Sequence, residues 1–436
     1  MERNRNGRAT PTRNGRVQQP EGRAKQRAFT IGALESGDDL SELHELLRTA
    51  GAAVVGQAVQ HRERPHPNTY LGPGKIAEVK AAAIAADANM VACDDELTPR
   101  QERNLESELE LPVVDRTAVI LGIFADHANT ADGKLQVELA QLEYNMARMR
   151  GLWTHLERLS AAGGGTLTRG PGETQIETDR RLARNRITAL RRKLAEVKGN
   201  RATMRAERER ASVPQVALAG YTNAGKSTLL NALTGENHVG VRDRLFHTLD
   251  PTTRMARLND RPYLLTDTVG FIRKLPHQLV DAFGATLEET RLSDLILHVV
   301  DASAPEEDMG AMIKAVDDVL EEIDAGDRPR VLVLNKADSL TPERREELGY
   351  RHREAVLVSA VTGEGLDALG DRIEQEFRRT TRSVELLLPY AEGGRLAELH
   401  AIAGDLEREE TADGVRIRAR LPATVAERYE RFALRA

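Results

Sequence analysis

The chain has 436 residues, of which 40% are hydrophobic, 30% charged and 3% aromatic, with a formal net charge of -6. This length predicts roughly two to four domains, and the single cysteine, Cys93, excludes a disulfide framework and is typical of a reducing compartment. No apolar run of about eighteen residues and no secretory signal occur, so we expect a cytoplasmic monomer without a transmembrane segment and leave partial membrane association open.

The first segment, residues 1–28, is basic. It contains eight Lys and Arg residues but only Glu2 and Glu21 as acidic residues. Such a composition predicts a disordered arm, which either binds a polyanion or is a solvated tail without a partner.

Residues 29–133 alternate short apolar runs with helical stretches. The runs lie at 52–56, 90–93 and 113–114, and the helical stretches at 76–86 and 100–109. This alternation predicts a small parallel α/β domain. The turn at 70–75 is either a binding loop or a connector.

Residues 134–212 predict two long helices that pack together. Apolar residues recur every three or four positions on both helices, which predicts a heptad seam. The seam comprises Leu135, Leu139, Leu142, Met146, Met149, Trp153 and Leu156, followed by Ala183, Ile187, Leu190, Leu194 and Val197. The glycine-rich stretch 163–172 predicts the hairpin tip. Residues 134–210 carry 17 basic and 9 acidic residues, so we expect the hairpin to contact a large polyanion, with RNA as the leading candidate and a solvated helix face as the alternative.

Residues 213–381 predict a doubly wound α/β domain that contains a phosphate-binding loop. The G-x-x-x-x-G-K-[ST] motif follows an apolar strand and precedes a helix. It consists of Gly220, Tyr221, Thr222, Asn223, Ala224, Gly225, Lys226 and Ser227. In this motif the backbone N–H groups surround a polyphosphate, Lys226 reaches its terminal phosphates, and the Ser227 hydroxyl binds Mg²⁺.

A second motif follows the next predicted strand and comprises Asp267, Thr268, Val269 and Gly270. Asp267 is positioned to hold Mg²⁺ through water, and the Gly270 N–H can contact the terminal phosphate.

A third and a fourth motif predict recognition of guanine. Asn335, Lys336 and Asp338 end one strand, and Ser359 and Ala360 end the next. The Asp338 carboxylate can accept two hydrogen bonds from guanine, Asn335 can support the loop, and the Lys336 stem can pack on the ring. A backbone N–H at Ser359–Ala360 can donate to the guanine carbonyl. These residues predict GTP and GDP as ligands.

A switch threonine is expected in the loop containing Phe246, Thr248, Leu249 and Asp250, where it would bind Mg²⁺ only when the terminal phosphate is present. We favour Thr248, with Thr252 or Thr253 as alternatives. The predicted catalytic set is Lys226, Thr248 and Gly270, and the predicted metal ligands are Ser227, Thr248 and Asp267. Beyond residue 381, apolar runs at 384–388 and 415–419 flank a helical stretch, which predicts a small α+β domain over 382–436.

Four strings together resemble the HflX-type ribosome-associated GTPases over about residues 70–379. They are the phosphate loop, Phe-x-Thr-Leu-Asp-Pro at 246–251, Asp-Thr-Val-Gly-Phe-Ile at 267–272, and the string 169–180 before the phosphate loop. The resemblance implies an N-terminal α/β domain, a helical hairpin, a GTPase domain and a small C-terminal domain. It also implies binding to the large ribosomal subunit and dissociation of stalled or idle ribosomes under stress, with the hairpin tip near the peptidyl-transferase region.

Two features of the sequence, in the hairpin tip and at Phe271, bear on this resemblance. The tip sequence differs from the family pattern, and Phe271 stands where Ras-like enzymes carry the glutamine that orients water. We therefore expect slow GTP hydrolysis that a partner accelerates, unless a residue such as His247 substitutes. The family is also reported to use ATP through its N-terminal region, for which this sequence gives no second site. An RNA-binding scaffold and an RNA-modification-linked GTPase are the alternative functions.

Overall fold

The structure is a computed structural model. It describes residues 26–35, 39–62, 64–149, 171–211, 213–235, 245–246, 248–249, 251–274, 284–402, 406–422, 426 and 429–434. None of the helices formed by these residues is long and apolar enough to cross a bilayer.

The N-terminal domain is a four-stranded parallel sheet in the order β2-β1-β3-β4. Its strands are β1 (Arg27–Leu34), β2 (Ala53–His61), β3 (Met90–Cys93) and β4 (Val113–Val114). Its helices are α1 (Ser41–Thr49), α2 (Pro73–Ala85), α3 (Pro99–Leu109) and α4 (Arg116–His127). Side-chain caps begin two of them, because Thr98 accepts from Gln101 N–H and Asp115 accepts from Ala118 N–H.

The sequence did not predict β1, α1 or α4. β1 is buried at every position except Arg27, so it lacks the alternation that marks a half-buried strand, and it begins inside the segment predicted to be the basic arm. Residues 1–25 of that arm lie outside the described residues.

The helical hairpin consists of α5 (Ala131–Met149) and α6 (Pro171–Ala211). Leu139 of α5 is buried against Ile187 and Leu190 of α6, and four further seam residues flank this contact: Leu135, Leu142, Met146 and Leu194. This part of the predicted seam therefore packs as expected. Trp153, Leu156 and most of the predicted tip, including Arg169, lie outside the described residues.

The domain that contains the phosphate loop, called the G domain below, has a six-stranded sheet in the order β10-β9-β8-β5-β7-β6. Its strands are β5 (Gln215–Gly220), β6 (Thr252–Leu258), β7 (Arg261–Asp267), β8 (Leu295–Asp301), β9 (Arg330–Asn335) and β10 (Val356–Leu357). All pair in parallel except β6, which runs antiparallel to β7 at one edge. The helices are α7 (Lys226–Thr234), α8 (Gly284–Leu292), α9 (Glu306–Glu322), α10 (Pro342–Arg351) and α11 (Leu366–Thr380).

The C-terminal domain is an antiparallel sheet in the order β11-β13-β12 with one helix. Its elements are β11 (Thr381–Leu388), α12 (Gly393–Ile402), β12 (Leu406–Thr411) and β13 (Gly414–Pro422). Leu386, Leu399 and Ile417 form its separate core. The predicted α/β class, with a phosphate-loop domain, a hairpin and an α+β C-terminal domain, is confirmed.

Candidate functional site

The phosphate loop connects the carboxyl end of β5 to the start of α7, so the N–H groups at the helix N-terminus face the cleft. Gly225 caps the helix with φ +89°, a left-handed conformation that a side chain rarely adopts. A Cβ at this position would also lie 2.3 Å from Asn335 Nδ2. Both the backbone conformation and the close approach therefore require glycine here.

Asn335 joins the phosphate loop to the base-binding loops. The side chain is 2% exposed, its Nδ2 donates to Ala224 O at 2.9 Å, and its Oδ1 accepts from Ala360 N–H at 3.1 Å. Asn335 thus supports both the phosphate loop and the loop that follows β10.

Lys226 is buried inside the loop, where its Nζ donates to Gly220 O at 3.1 Å and to Tyr221 O at 2.9 Å. Burial lowers the pKa of Lys226 to about 8, although Asp267 opposes this shift. Gly270 lies close by, because a Cβ at that position would be 3.1 Å from Lys226 Nζ. The terminal amine and the Gly270 backbone therefore share one small region at the phosphate end of the cleft.

Ser227, Thr248 and Asp267 form an oxygen cluster. Ser227 Oγ lies 2.9 Å from Thr248 Oγ1, and both hydroxyls donate to Asp267 Oδ2, at 2.6 and 2.9 Å respectively. Neighbouring oxygens in an octahedral Mg²⁺ shell are about 2.9 Å apart, since Mg²⁺–oxygen distances are about 2.0–2.1 Å. The cluster therefore fits Mg²⁺ in both atom type and spacing. Among the residues described, no group of three or more His, Cys, Asp or Glu could hold a metal, so this candidate depends on hydroxyl ligands.

The two alternative switch threonines lie elsewhere. Thr252 and Thr253 belong to β6, and Thr253 Oγ1 lies 3.0 Å from Thr266 Oγ1 on the neighbouring strand. Of the three candidates, Thr248 is the one that hydrogen-bonds with Ser227 and Asp267 in the described part of the chain. Asp250 and His247 lie outside the described residues.

At the base end, Asp338 is exposed and its Oδ1 accepts from Ser359 Oγ at 2.6 Å. This hydrogen bond holds the pKa of Asp338 below its usual value, so the side chain is an acceptor at neutral pH. Lys336 has φ +67°, and its Nζ donates to Asp301 Oδ2 at 2.6 Å. The N–H of Ser359 donates to Glu364 O, and the N–H of Ala360 donates to Asn335 Oδ1. A guanine carbonyl that accepted from either N–H would therefore share it with the acceptor already present.

Several predicted site residues turn their side chains away from the cleft. Phe246, Leu249 and Val269 are at most 5% exposed and belong to a core shared with the N-terminal domain. The Phe246 ring packs against Phe124 of α4 at a centroid distance of 4.6 Å, and His127 Nδ1 lies 2.7 Å from Phe246 O. These residues can contact a nucleotide through their backbone only.

The remaining motif residues have structural contacts too. Thr268 Oγ1 donates to Leu218 O at 2.7 Å, and Thr222 N–H donates to Phe271 O at 2.8 Å. Asn223 has φ +61° and is exposed at the loop surface. Phe271 is fully buried in the shared core, so its ring is not available to position water.

The sequence did not predict the contact between the N-terminal domain and the G domain. Tyr221 of the phosphate loop donates its hydroxyl hydrogen to Glu42 of α1, and the same oxygen accepts from Arg273 N–H at 2.9 Å. Arg116 of α4 pairs with Glu42 and donates to Asp94 Oδ1 at 2.9 Å and to Arg273 O at 3.1 Å.

The backbone of residue 273 is therefore held at both its N–H and its carbonyl oxygen, in part by residues of the N-terminal domain. Lys274 adds an ion pair to Asp94 at 3.2 Å. Burial raises the pKa of Asp94, although Arg116 and Lys274 oppose this shift. In the sequence, the one sign of this contact between domains was Tyr221, the second residue of the phosphate loop, because phosphate binding does not require an aromatic hydroxyl at that position.

Comparisons with known proteins agree with this site. Three family models match consecutive parts of the chain: "GTP-binding GTPase N-terminal" over 37–125, "GTP-binding GTPase Middle Region" over 127–208, and "50S ribosome-binding GTPase" over 215–336. The chain is 47% identical over 399 residues to GTPase HflX of Lacrimispora saccharolytica, covering 90% of this chain and 92% of that protein.

It is also 44% identical over 416 residues to GTPase HflX of Caldanaerobacter subterraneus subsp. tengcongensis, covering 94% of this chain and 95% of that protein. The identity to GTPase HflX of Escherichia coli is 45% over 389 residues, covering 87% and 89% of the two chains. These matches confirm the resemblance to the HflX-type GTPases and the prediction that the protein is a GTP-hydrolysing enzyme. The chain belongs to the HflX family of GTPases.

Proposed function

We propose that this GTPase acts as a cytoplasmic monomer that binds the large ribosomal subunit in its GTP form and dissociates stalled or idle ribosomes under stress. Ser227, Thr248 and Asp267 hold Mg²⁺, which neutralises charge on the phosphates, and Lys226 and the Gly270 N–H contact the terminal phosphate. Asn335, Lys336 and Asp338 select guanine.

The observation that carries the ribosome proposal is the exposed cationic face of α6. Arg181 and Arg184, three residues apart on the same side of α6, are exposed and make no salt bridge with any described residue. Neighbouring Arg186 and Arg191 pair instead with Glu138 and Glu143 of α5, which joins the two helices. A cationic face of this kind on a stiff helix suits the phosphate backbone of RNA.

The partner accelerates hydrolysis in this proposal, because Phe271 is buried and supplies no group that could orient water. Comparison of GTP turnover with and without purified large subunits tests this step. Equal rates would contradict activation of hydrolysis by the large subunit, but they would not contradict binding to the ribosome.

Cosedimentation with ribosomal subunits tests the main proposal. The protein should bind large subunits more tightly with a non-hydrolysable GTP analogue than with GDP, and the double variant Arg181→Gln/Arg184→Gln should bind more weakly at a given salt concentration. The matched control is Arg378→Gln/Arg379→Gln, which removes two exposed charges from the G domain. Equal losses in both double variants would contradict a specific role for α6.

An RNA-binding scaffold, whose nucleotide only stabilises the fold, is the second candidate. Its supporting observation is the same cationic face, and it predicts equal ribosome binding in the two nucleotide states. The nucleotide-dependent difference in cosedimentation separates the two functions.

A further inference from the structure

A cavity of about 550 Å³ lies in the G domain at the opposite ends of the strands from the nucleotide site. Arg330, which begins β9, and Ala355, just before β10, line it. At the other ends of these strands, Asn335 ends β9 and Ser359 follows β10. Helices α9, α10 and α11 provide its other walls. Its volume lies within the range of about 300–1,000 Å³ that small-molecule sites occupy.

The lining is cationic in a protein whose net charge is negative. Arg330, Arg351, Arg353 and Arg372 outnumber the two lining carboxylates, Asp317 and Glu354. Arg330 pairs with Asp317 at 2.6 Å, Arg351 with Glu347 at 3.0 Å and Arg372 with Glu376 at 3.0 Å. Arg353 makes no ion pair with any described residue. Its guanidinium carbon lies 4.9 Å from the ring centroid of Tyr350, a side chain that is 74% exposed.

Three lining side chains have buried nitrogen atoms without a hydrogen-bond partner: His298 Nε2, His352 Nε2 and Arg372 Nε. His298 is 4% exposed, and its Nδ1 lies 3.8 Å from Asp317 Oδ1, which is beyond hydrogen-bond distance. Buried polar atoms of this kind are commonly satisfied by a bound ion or water.

The protonation state of His298 is compatible with a donor role. Burial, and then the nearby charges of Arg330 and Lys226, lower the pKa of His298 to about 4. The ring is therefore neutral at pH 7 and offers one N–H, so the positive charge of the cavity comes from the arginines.

We propose that this cavity is a second ligand site, separate from the GTP site, that binds a phosphate group. Arg353 and Arg372 bind the phosphate oxygens, since the planar guanidinium matches a phosphate in geometry and charge. Two ligands offer this chemistry: inorganic phosphate, and a nucleoside monophosphate whose base stacks on the exposed ring of Tyr350.

Calorimetric titration of the full chain tests the proposal. The protein is first saturated with Mg²⁺ and a non-hydrolysable GTP analogue, so that the nucleotide site is filled up to its terminal-phosphate position, and is then titrated with inorganic phosphate or with AMP. Wild type should show saturable binding of one equivalent. Arg353→Gln and Arg372→Gln should each weaken it by about tenfold or more, as expected for loss of a charge-assisted hydrogen bond.

Arg378→Gln is the matched control, because it removes the same charge from an exposed position of α11 outside the cavity, and Arg378 pairs with Glu374 and not with Glu376, the partner of Arg372. Arg353 is exposed, so its variant keeps the test valid if Arg372→Gln does not fold. AMP binding that is tighter than phosphate binding, with the difference abolished by Tyr350→Ala, supports a nucleotide ligand; equal binding supports inorganic phosphate.

Histidine ring NMR of the protein loaded with the GTP analogue provides a second readout, in which the His298 signals should move when phosphate is added. The absence of saturable binding of both probes at millimolar concentrations would overturn the proposal. So would an equal loss of binding in Arg378→Gln.

Discussion

The phosphate end and the base end of the nucleotide site differ in which parts of the chain hold them. At the phosphate end, Tyr221 and Arg273 hydrogen-bond with Glu42 and Arg116 of the N-terminal domain. At the base end, the hydrogen bonds that Asn335 and Asp338 make with described residues stay within the G domain. The base end can therefore select a nucleotide without involving another domain.

The phosphate end, in contrast, cannot change its conformation independently of the N-terminal domain. Any movement of Arg273 must alter the contact with Arg116, whose side chain is 2% exposed and also holds Asp94. The loop at Phe246 is likewise anchored in the N-terminal domain by its ring against Phe124. Substitutions at the two ends should consequently affect different properties of the protein.

The largest expected effect follows from removal of Arg116. Arg116→Met leaves the Glu42 and Asp94 carboxylates without their buried partner and should lower the free energy of unfolding by about 3–5 kcal/mol. Urea denaturation followed by circular dichroism measures this change. Arg48→Met is the control, since Arg48 is 57% exposed and its pair with Glu45 should contribute less than about 1 kcal/mol. Similar small effects in both variants would mean that the ion cluster does not hold the domains together.

Lys226→Ala should have the next largest effect, on triphosphate affinity. Loss of the ammonium group removes charged hydrogen bonds worth about 1.5–3 kcal/mol each, so GTP affinity should fall by roughly 10²-fold or more. Fluorescent GTP-analogue titration measures the loss, with Lys314→Ala, an exposed lysine on α9, as the control. Unchanged affinity in Lys226→Ala would remove this residue from the phosphate site.

These two variants also mark what the sequence could and could not predict. Gly225 and Lys226 act locally, because a motif of eight residues contains the turn, the amine and the helix start. Arg116 acts on a carbonyl 157 positions away, and nothing in its own neighbourhood distinguishes it from a surface arginine. Long-range pairing of this kind cannot be predicted from spacing.

Phe246 illustrates a second limit. Its place in a motif next to the switch threonine predicted a nucleotide contact, but its side chain packs on Phe124 of another domain. β1 was missed for a related reason, since burial of seven of its eight residues removes the alternation by which strands are identified. The sequence predicted which motifs meet in the cleft, whereas tertiary packing decided which side chains enter it.

Asp338→Asn should change nucleotide choice at the base end while leaving the N-terminal contact intact. The amide offers a donor where guanine also offers donors, so GTP affinity should fall by about 10- to 10²-fold and affinity for xanthosine triphosphate should rise. Competition binding with the two triphosphates measures this shift. Asp327→Asn, an exposed carboxylate in the turn between α9 and β9, is the control. An unchanged preference in Asp338→Asn would remove Asp338 from base recognition.

The smallest effect is expected from Thr248→Val, which keeps the shape of the side chain but removes one hydroxyl from the oxygen cluster. If Thr248 binds Mg²⁺ only beside the terminal phosphate, GTP affinity should fall by about tenfold, the equivalent of about 1.4 kcal/mol, while GDP affinity stays unchanged. Thr253→Val is the matched control, because its hydroxyl contacts Thr266 between β6 and β7 instead. Loss of GTP and GDP affinity by the same factor in Thr248→Val would mean that this hydroxyl does not sense the terminal phosphate, and the phosphate end would then lack the side-chain switch that distinguishes it from the base end.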